Sequence, residues 1–121
     1  MTVTQIDASQ QIKNSVITHG GTVLTPGGPS NIVVWQAPYA CTVTNLRGLV
    51  SGIIGSKVNA RKNGSLTHLA SDLTLSTLDT WTDGGAVQNV SYAAGDKMEI
   101  MITSVTGSPT QIAIEVIFTR P

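Results

Sequence analysis

The chain has 121 residues, a length that suits one domain, and only 12% of them are charged, with 7 basic and 7 acidic side chains cancelling to a formal net charge of +0. So neutral a chain offers no basic field to hold nucleic acid or an anionic membrane surface, and no uninterrupted apolar run approaches the roughly 18 residues of a membrane span. Near-zero net charge beside 40% hydrophobic residues and 12 glycines favours association over solvation, which points to an assembly protein.

The first residues, MTVTQIDASQQ, lack the basic patch and apolar run of a secretory signal, so synthesis as a soluble cytoplasmic chain is expected. In TQIDASQQIKNSVITHGG, Ile6, Ile12, Val16 and Ile17 are scattered among polar residues, and Asp7 can cap a short helix over ASQQIKN. The helical spacing is too imperfect for a stable isolated helix. Residues 1–20 therefore read as an N-terminal arm, extended or with one helical turn, whose apolar residues need a partner surface. Gly20-Gly21 marks the expected boundary with the domain at 21–121.

From there the apolar period is two almost everywhere. NIVVWQ (31–36) is β-branched and aromatic, opened by the turn-rich TPGGPS and closed by Pro38. CTVTNLRGLV (41–50) is a second strand whose apolar phase slips between Val43 and Leu46, as at a bulge or a change of sheet. Its Cys41 is the only cysteine, which excludes an intramolecular disulfide and a multi-cysteine metal site and leaves a small buried hydrophobe. Asn63-Gly64 can take the positive φ angles of a two-residue type I′ turn, so strands near 56–62 and 65–69 should pair. Residues 69–85 read as a loop with a brief strand, and AVQNVSY (86–92) as a further strand.

The two last segments alternate most strictly. Met98, Ile100 and Ile102 oppose Lys97, Glu99, Met101 and Thr103; Ile112, Ile114, Val116 and Phe118 oppose Gln111, Ala113, Glu115, Ile117 and Thr119. VTGSPT between them contains Gly107 and Pro109, so an antiparallel hairpin is the simplest pairing. Seven to nine short strands with turn signals about every ten residues and no long helix define an all-β chain, a sandwich or barrel of antiparallel strands. Phe118 is its last core anchor, while Met101 and Ile117 are apolar positions on the solvent side that need a loop, a sheet or another subunit to cover them.

Catalytic chemistry is not found. His19 and His68 have no carboxylate near them in sequence and suit surface or hydrogen-bonded roles. Asp79, Asp83 and Asp96 lack the alternating spacing of a calcium loop, and Asp96 in AAGDK belongs to a turn entering the next strand. No serine lies in a nucleophile elbow or an SxxK pair, and the glycine pairs 27–28 and 84–85 lack the helix and lysine of a phosphate cradle. Asn63-Gly64-Ser65 and Asn89-Val90-Ser91 fit the short glycosylation pattern, the first being better explained as a turn. Trp35, Trp81, Tyr39 and Tyr92 could make a sugar-stacking platform, against which stand an aromatic content of 4% and the place of Trp35 in an apolar strand. No catalytic, cofactor-binding or metal-ligating residue is assigned, and the chain is read as non-enzymatic.

Residues 31–121 resemble the C-terminal β-domain of tailed-bacteriophage virion proteins, the capsid-decoration, head-fibre and tail-fibre-like group. The resemblance rests on Ala37-Pro38 after an apolar strand, the C-x-V strand start, Asn63-Gly64, Gly95-Asp96, Ser108-Pro109-Thr110 and the final strand closing in Phe118-Thr119. Gln11-Ile12-Lys13-Asn14-Ser15-Val16-Ile17 is similar to the short isoleucine-bearing repeats that link phage fibre heads to the virion. These motifs are structural. The resemblance implies an antiparallel β-sandwich of the jelly roll type, similar to tumour-necrosis-factor-like heads, assembled as a homotrimer without a cofactor. With only a short arm in place of a fibre shaft, it implies a decoration (cement) protein on the capsid surface of the virion, made in the host bacterial cytoplasm and bound to the major capsid protein. In that reading Ile6, Ile12, Val16 and Ile17 contact the capsid, and Met101 and Ile117 lie between subunits. The alternative is a head-fibre or tail-fibre tip domain that binds a host-surface receptor or glycan.

Overall fold

The computed structural model describes residues 16–120. Ten strands follow in order: β1 (Val16–Leu24), β2 (Ser30–Gln36), β3 (Cys41–Ser51), β4 (Lys57–Lys62), β5 (Leu66–Thr67), β6 (Leu73–Thr74), β7 (Thr82–Asp83), β8 (Ser91–Tyr92), β9 (Lys97–Ser104) and β10 (Gln111–Thr119). There is no helix among the described residues. Two five-stranded antiparallel sheets pack as a β-sandwich, one ordered β1-β10-β3-β7 with β8 also on β3, the other ordered β2-β9-β4-β5 with β6 also on β4.

The strictest alternation forms the centre. β10 lies between β1 and β3 in one sheet, β9 between β2 and β4 in the other. Their inward residues, Ile112, Ile114, Val116 and Phe118 against Met98, Ile100 and Ile102, are buried and meet Leu46, Val50, Val58, Ala60 and Leu75 in one core. Each fully covered side chain of this kind contributes about 1.5–3 kcal/mol.

The expected β9–β10 hairpin is not formed. The two strands are central in opposite sheets, so VTGSPT crosses the sandwich instead of reversing within one sheet. Gly107 takes φ +65, Pro109 is buried, and Thr110 is tied by its N–H to Ser51 O (2.9 Å) and by its carbonyl to Thr25 N–H (2.8 Å). A turn signal marks a change of direction and not the strand's partner, and two strands each with one apolar face bury more by facing each other than by lying side by side.

Of the other local expectations, some stand and some are corrected. The phase slip in β3 is a bulge: Ile117 pairs with Asn45 and Phe118 with Val43, leaving Thr44 over, whose Oγ1 donates to Ile117 O (3.2 Å). Asn63 and Gly64 have φ +52 and +77, and Ser65 N–H donates to Lys62 O (3.2 Å), although pairing resumes only at Lys62↔Leu66. Residues 69–92 supply only the short strands β6, β7 and β8, so AVQNVSY is strand at its last two residues alone. Gly20 and Gly21, read as a boundary, lie inside β1, paired with Glu115 and Ile114. A Cβ on Gly20 would run into the carbonyl oxygen of Ile114, so the glycine permits a close approach of β1 to β10. Residues 1–15 of the expected arm lie outside the described residues.

Candidate functional site

A hollow of about 290 Å³ opens on the outer face of the β1-β10-β3 sheet. Its formation follows from side-chain sizes on that face. Gly20 in β1 has no side chain and Ala113 in β10 only a methyl, which leaves a depression between the threonines at 18 and 22 on β1 and Glu115 on β10. Trp81, just ahead of β7, forms the far wall and is 38% exposed. Its position is set by the pairing of Thr82 and Asp83 with Gly48 and Arg47, and by the Arg47 guanidinium 4.7 Å from the ring centroid. Arg47 is in turn held by Glu115, Nη2 to Oε2 at 3.2 Å, while its Nε is buried without a hydrogen-bond partner among the described residues. The pair cancels its own charge, so the hollow is polar at its rim, aromatic on one wall and near neutral.

A second cluster occupies one end of the core. His19 in β1 stacks on Trp35 in β2 at 4.1 Å between ring centroids, and Phe118 packs against Trp35 at 4.8 Å and edge-on to Tyr92 at 5.1 Å. His68 is buried beside Tyr92 and hydrogen-bonded at both ring nitrogens, to Gln88 O (3.2 Å) and Tyr92 Oη (2.7 Å). Desolvation lowers the His68 pKa from its ordinary value, opposed in part by the Gln88 bond and reinforced by Lys62; desolvation likewise pushes the Tyr92 phenol well above its usual range. Both groups are therefore neutral across physiological pH. Cys41, the strand partner of Tyr92, is buried, and no group of three metal-ligating side chains occurs among the described residues. The other carboxylates are held by neighbours: Glu99 in β9 pairs with Arg61 (2.8 Å) and Asp72 accepts from Asn59 Nδ2 (3.0 Å). Asp96 accepts from Asn63 Nδ2 (3.0 Å) and Ala93 N–H (2.9 Å), the bonds that lower its pKa, and Asp79 and Asp83 accept from Ser51 and Asn45.

The third feature is an open side. β1 ends one sheet and β2 the other, and the His19–Trp35 stack brings them together. Among the described residues β1 pairs only with β10 and β2 only with β9. Neither strand contains an Asp, Glu, Lys, Arg or Pro. Val16, Leu24, Ile32 and Val33 are exposed here, the last two at 41% and 53%. Edge strands of monomers are ordinarily blunted by charge, proline or bulges; β2 has a bulge between Val33 and Trp35 and β1 has an unbroken register.

Of the residues singled out in sequence, Ile6 and Ile12 lie outside the described residues. Val16 is exposed at the start of β1, whereas Ile17 points inward and packs on the core. Met101 and Ile117 are half-buried on the outer faces of different sheets, so the fold does not bring them together. Sequence reasoning missed the hollow, since β1, β10 and the loop before β7 come from three separate parts of the chain. The one signal available was Trp81 flanked by polar residues, an aromatic without an alternating strand to bury it.

No family model matches the sequence, and no curated protein does. Two solved chains match in structure. One, a chain from the structure of infectious bursal disease virus, Gt strain, is 13% identical with a TM-score of 0.29, a likeness too slight to carry function across. The match covers 86% of this chain and 39% of that one.

Proposed function

We propose that the chain is a non-enzymatic virion structural protein, a trimeric decoration protein that binds the major capsid lattice of a phage. The observation that carries the reading is the open side of the sandwich, where two adjacent edge strands without a single full charge expose Val16, Leu24, Ile32 and Val33. An apolar edge that no described strand caps favours a protein partner, and a closed ring of identical subunits covers it with the fewest distinct contacts. The strand orders β1-β10-β3-β8 and β2-β9-β4-β5 interleave the two halves of the chain in both sheets, which supports a jelly roll. Repetition of weak contacts about a symmetry axis then gives avidity for a lattice. Sedimentation equilibrium together with electron microscopy of the intact particle tests this: a trimeric mass and many copies spread over the shell are expected. A monomeric mass removes the oligomer, and a few copies at a vertex or tail replace decoration by a fibre tip.

A further inference from the structure

We propose that the hollow on the outer face of the β1-β10-β3 sheet is a binding site for one neutral pyranose ring of a glycan, stacked on Trp81 and hydrogen-bonded by Glu115, Thr18 and Thr22. This goes beyond the capsid reading and stands or falls separately from it. Size is the first constraint. About 290 Å³ lies just under the roughly 300–1,000 Å³ of small-molecule sites and suits a single sugar ring better than a helix or a loop. Chemistry is the second. A pyranose presents an apolar face of C–H groups and an equatorial belt of hydroxyls, so its complement is an aromatic plane beside donors and acceptors at its edge. Trp81 supplies the plane, part exposed and held against Arg47, so little freedom is lost on binding. The Glu115 carboxylate can accept from sugar hydroxyls, and the threonine hydroxyls at 18 and 22, two positions either side of Gly20, can both donate and accept.

Charge is the third constraint. Arg47 already neutralises Glu115, so no net field draws an ion or an acidic peptide into the hollow. The floor is kept open by the backbone itself: at Gly20 a side chain would collide with the Ile114 carbonyl, and at 113 only a methyl projects. The alternative occupant, a second copy of the chain, fits less well. The exposed large aliphatics of the open side include Ile32 and Val33 on β2 in the other sheet, whereas this rim is hydroxyl and carboxylate.

The test uses the full chain labelled with ¹⁵N and titrated with the methyl glycosides of glucose, galactose and mannose and with methyl N-acetylglucosaminide. At least one of the four is expected to shift the Trp81 indole N–H and the Gly20 amide with a millimolar Kd, leaving the Trp35 indole in place. Trp81→Ala should weaken that binding about tenfold or more, as expected for an aromatic anchor. Thr22→Val, which keeps the strand-favouring shape, should weaken it severalfold, and it provides the reading if the tryptophan variant does not fold. Four glycosides that leave the Trp81 indole unmoved would overturn the proposal, as would a shift that survives Trp81→Ala and Thr22→Val. So would a Trp81 shift on simple dilution without sugar, which would give the hollow to a second copy.

Discussion

Tyr92 Oη lies 2.7 Å from His68 Nε2, and both residues are buried, His68 directly after β5 and Tyr92 in β8. Because His68 Nδ1 faces the Gln88 carbonyl at 3.2 Å, that nitrogen carries the proton and donates, and the tyrosine hydroxyl donates to the unprotonated Nε2. With the imidazole kept neutral by desolvation, the Gln88 carbonyl thus selects one tautomer. The pair of bonds fastens the loop before β8 to the end of the β4–β5 hairpin, where Gln88 N–H also donates to His68 O (2.8 Å).

The first prediction is a pH dependence of stability. The folded His68 pKa is lowered, first by desolvation, and that of His19 is lowered by desolvation as well. In the window between the unfolded value near 6.5 and the lower folded values, the unfolded chain binds more protons, so stability is full above about pH 6.5 and falls as the pH drops through the window. The urea midpoint should therefore be lower at pH 5 than at pH 7.5, with a smaller difference in His68→Gln. Tyr92→Phe leaves Nε2 buried without its donor and should cost about 1–3 kcal/mol at pH 7.5. An unchanged midpoint in Tyr92→Phe would remove the hydrogen bond from the account.

A second prediction concerns Phe118, fully buried and in contact with Trp35 and Tyr92. Phe118→Ala should cost about 3–5 kcal/mol by combined transfer and cavity terms. A denaturant titration measures it, and a loss under about 1 kcal/mol would mean that the ring faces solvent.

What the sequence revealed and what it hid follow one division. Properties carried by neighbours in the chain were legible: the alternation of 97–104 and 111–119, the slip between Val43 and Leu46 that became the Thr44 bulge, and the Asn63-Gly64 turn with both φ angles positive. Partnership across the chain was not. VTGSPT has turn chemistry whether it closes a hairpin or crosses between sheets, and only the burial of both apolar faces decides. Gly20-Gly21 looked like a break because glycine weakens strands, yet Gly20 sits where the Ile114 carbonyl leaves no room for a side chain. The hollow required Gly20, Trp81 and Glu115 to meet, and no local pattern joins positions so far apart.

The third prediction addresses the open side. Val33 is 53% exposed on β2, so Val33→Lys should change the stability of the fold by no more than about 0.5 kcal/mol. If this edge joins subunits, a lysine there places like charges together and blocks pairing. Sedimentation equilibrium should then show a monomer for Val33→Lys and a trimer for Leu66→Lys, a control on β5 at the opposite edge of the same sheet. A trimer in both variants would move the interface to another face.

The last prediction separates an arm from a strand. Removing residues 1–15 leaves every described strand complete, whereas removing 1–20 also takes Val16–Gly20, which pair with Thr119–Glu115 of β10. The longer cut deletes Ile17, which packs on the core, and His19, which stacks on Trp35 and touches Phe118 edge-on. It also exposes one edge of β10 next to the most heavily buried row of the protein. On the reading of 1–15 as an arm, its deletion should unfold at nearly the full-length urea midpoint, while the 1–20 deletion should lose about 2–5 kcal/mol, the range for removing one large buried side chain outright. On the capsid reading, Ile6 and Ile12 each contribute about 1.5–3 kcal/mol when covered by another protein. The 1–15 deletion should then stay folded and trimeric yet fail to co-sediment with undecorated particles, because a threefold assembly loses each contact three times. Co-sedimentation equal to that of the full chain would take these residues out of the attachment mechanism and assign it to the sandwich, with the exposed Val16 at the start of β1 as the next residue to change.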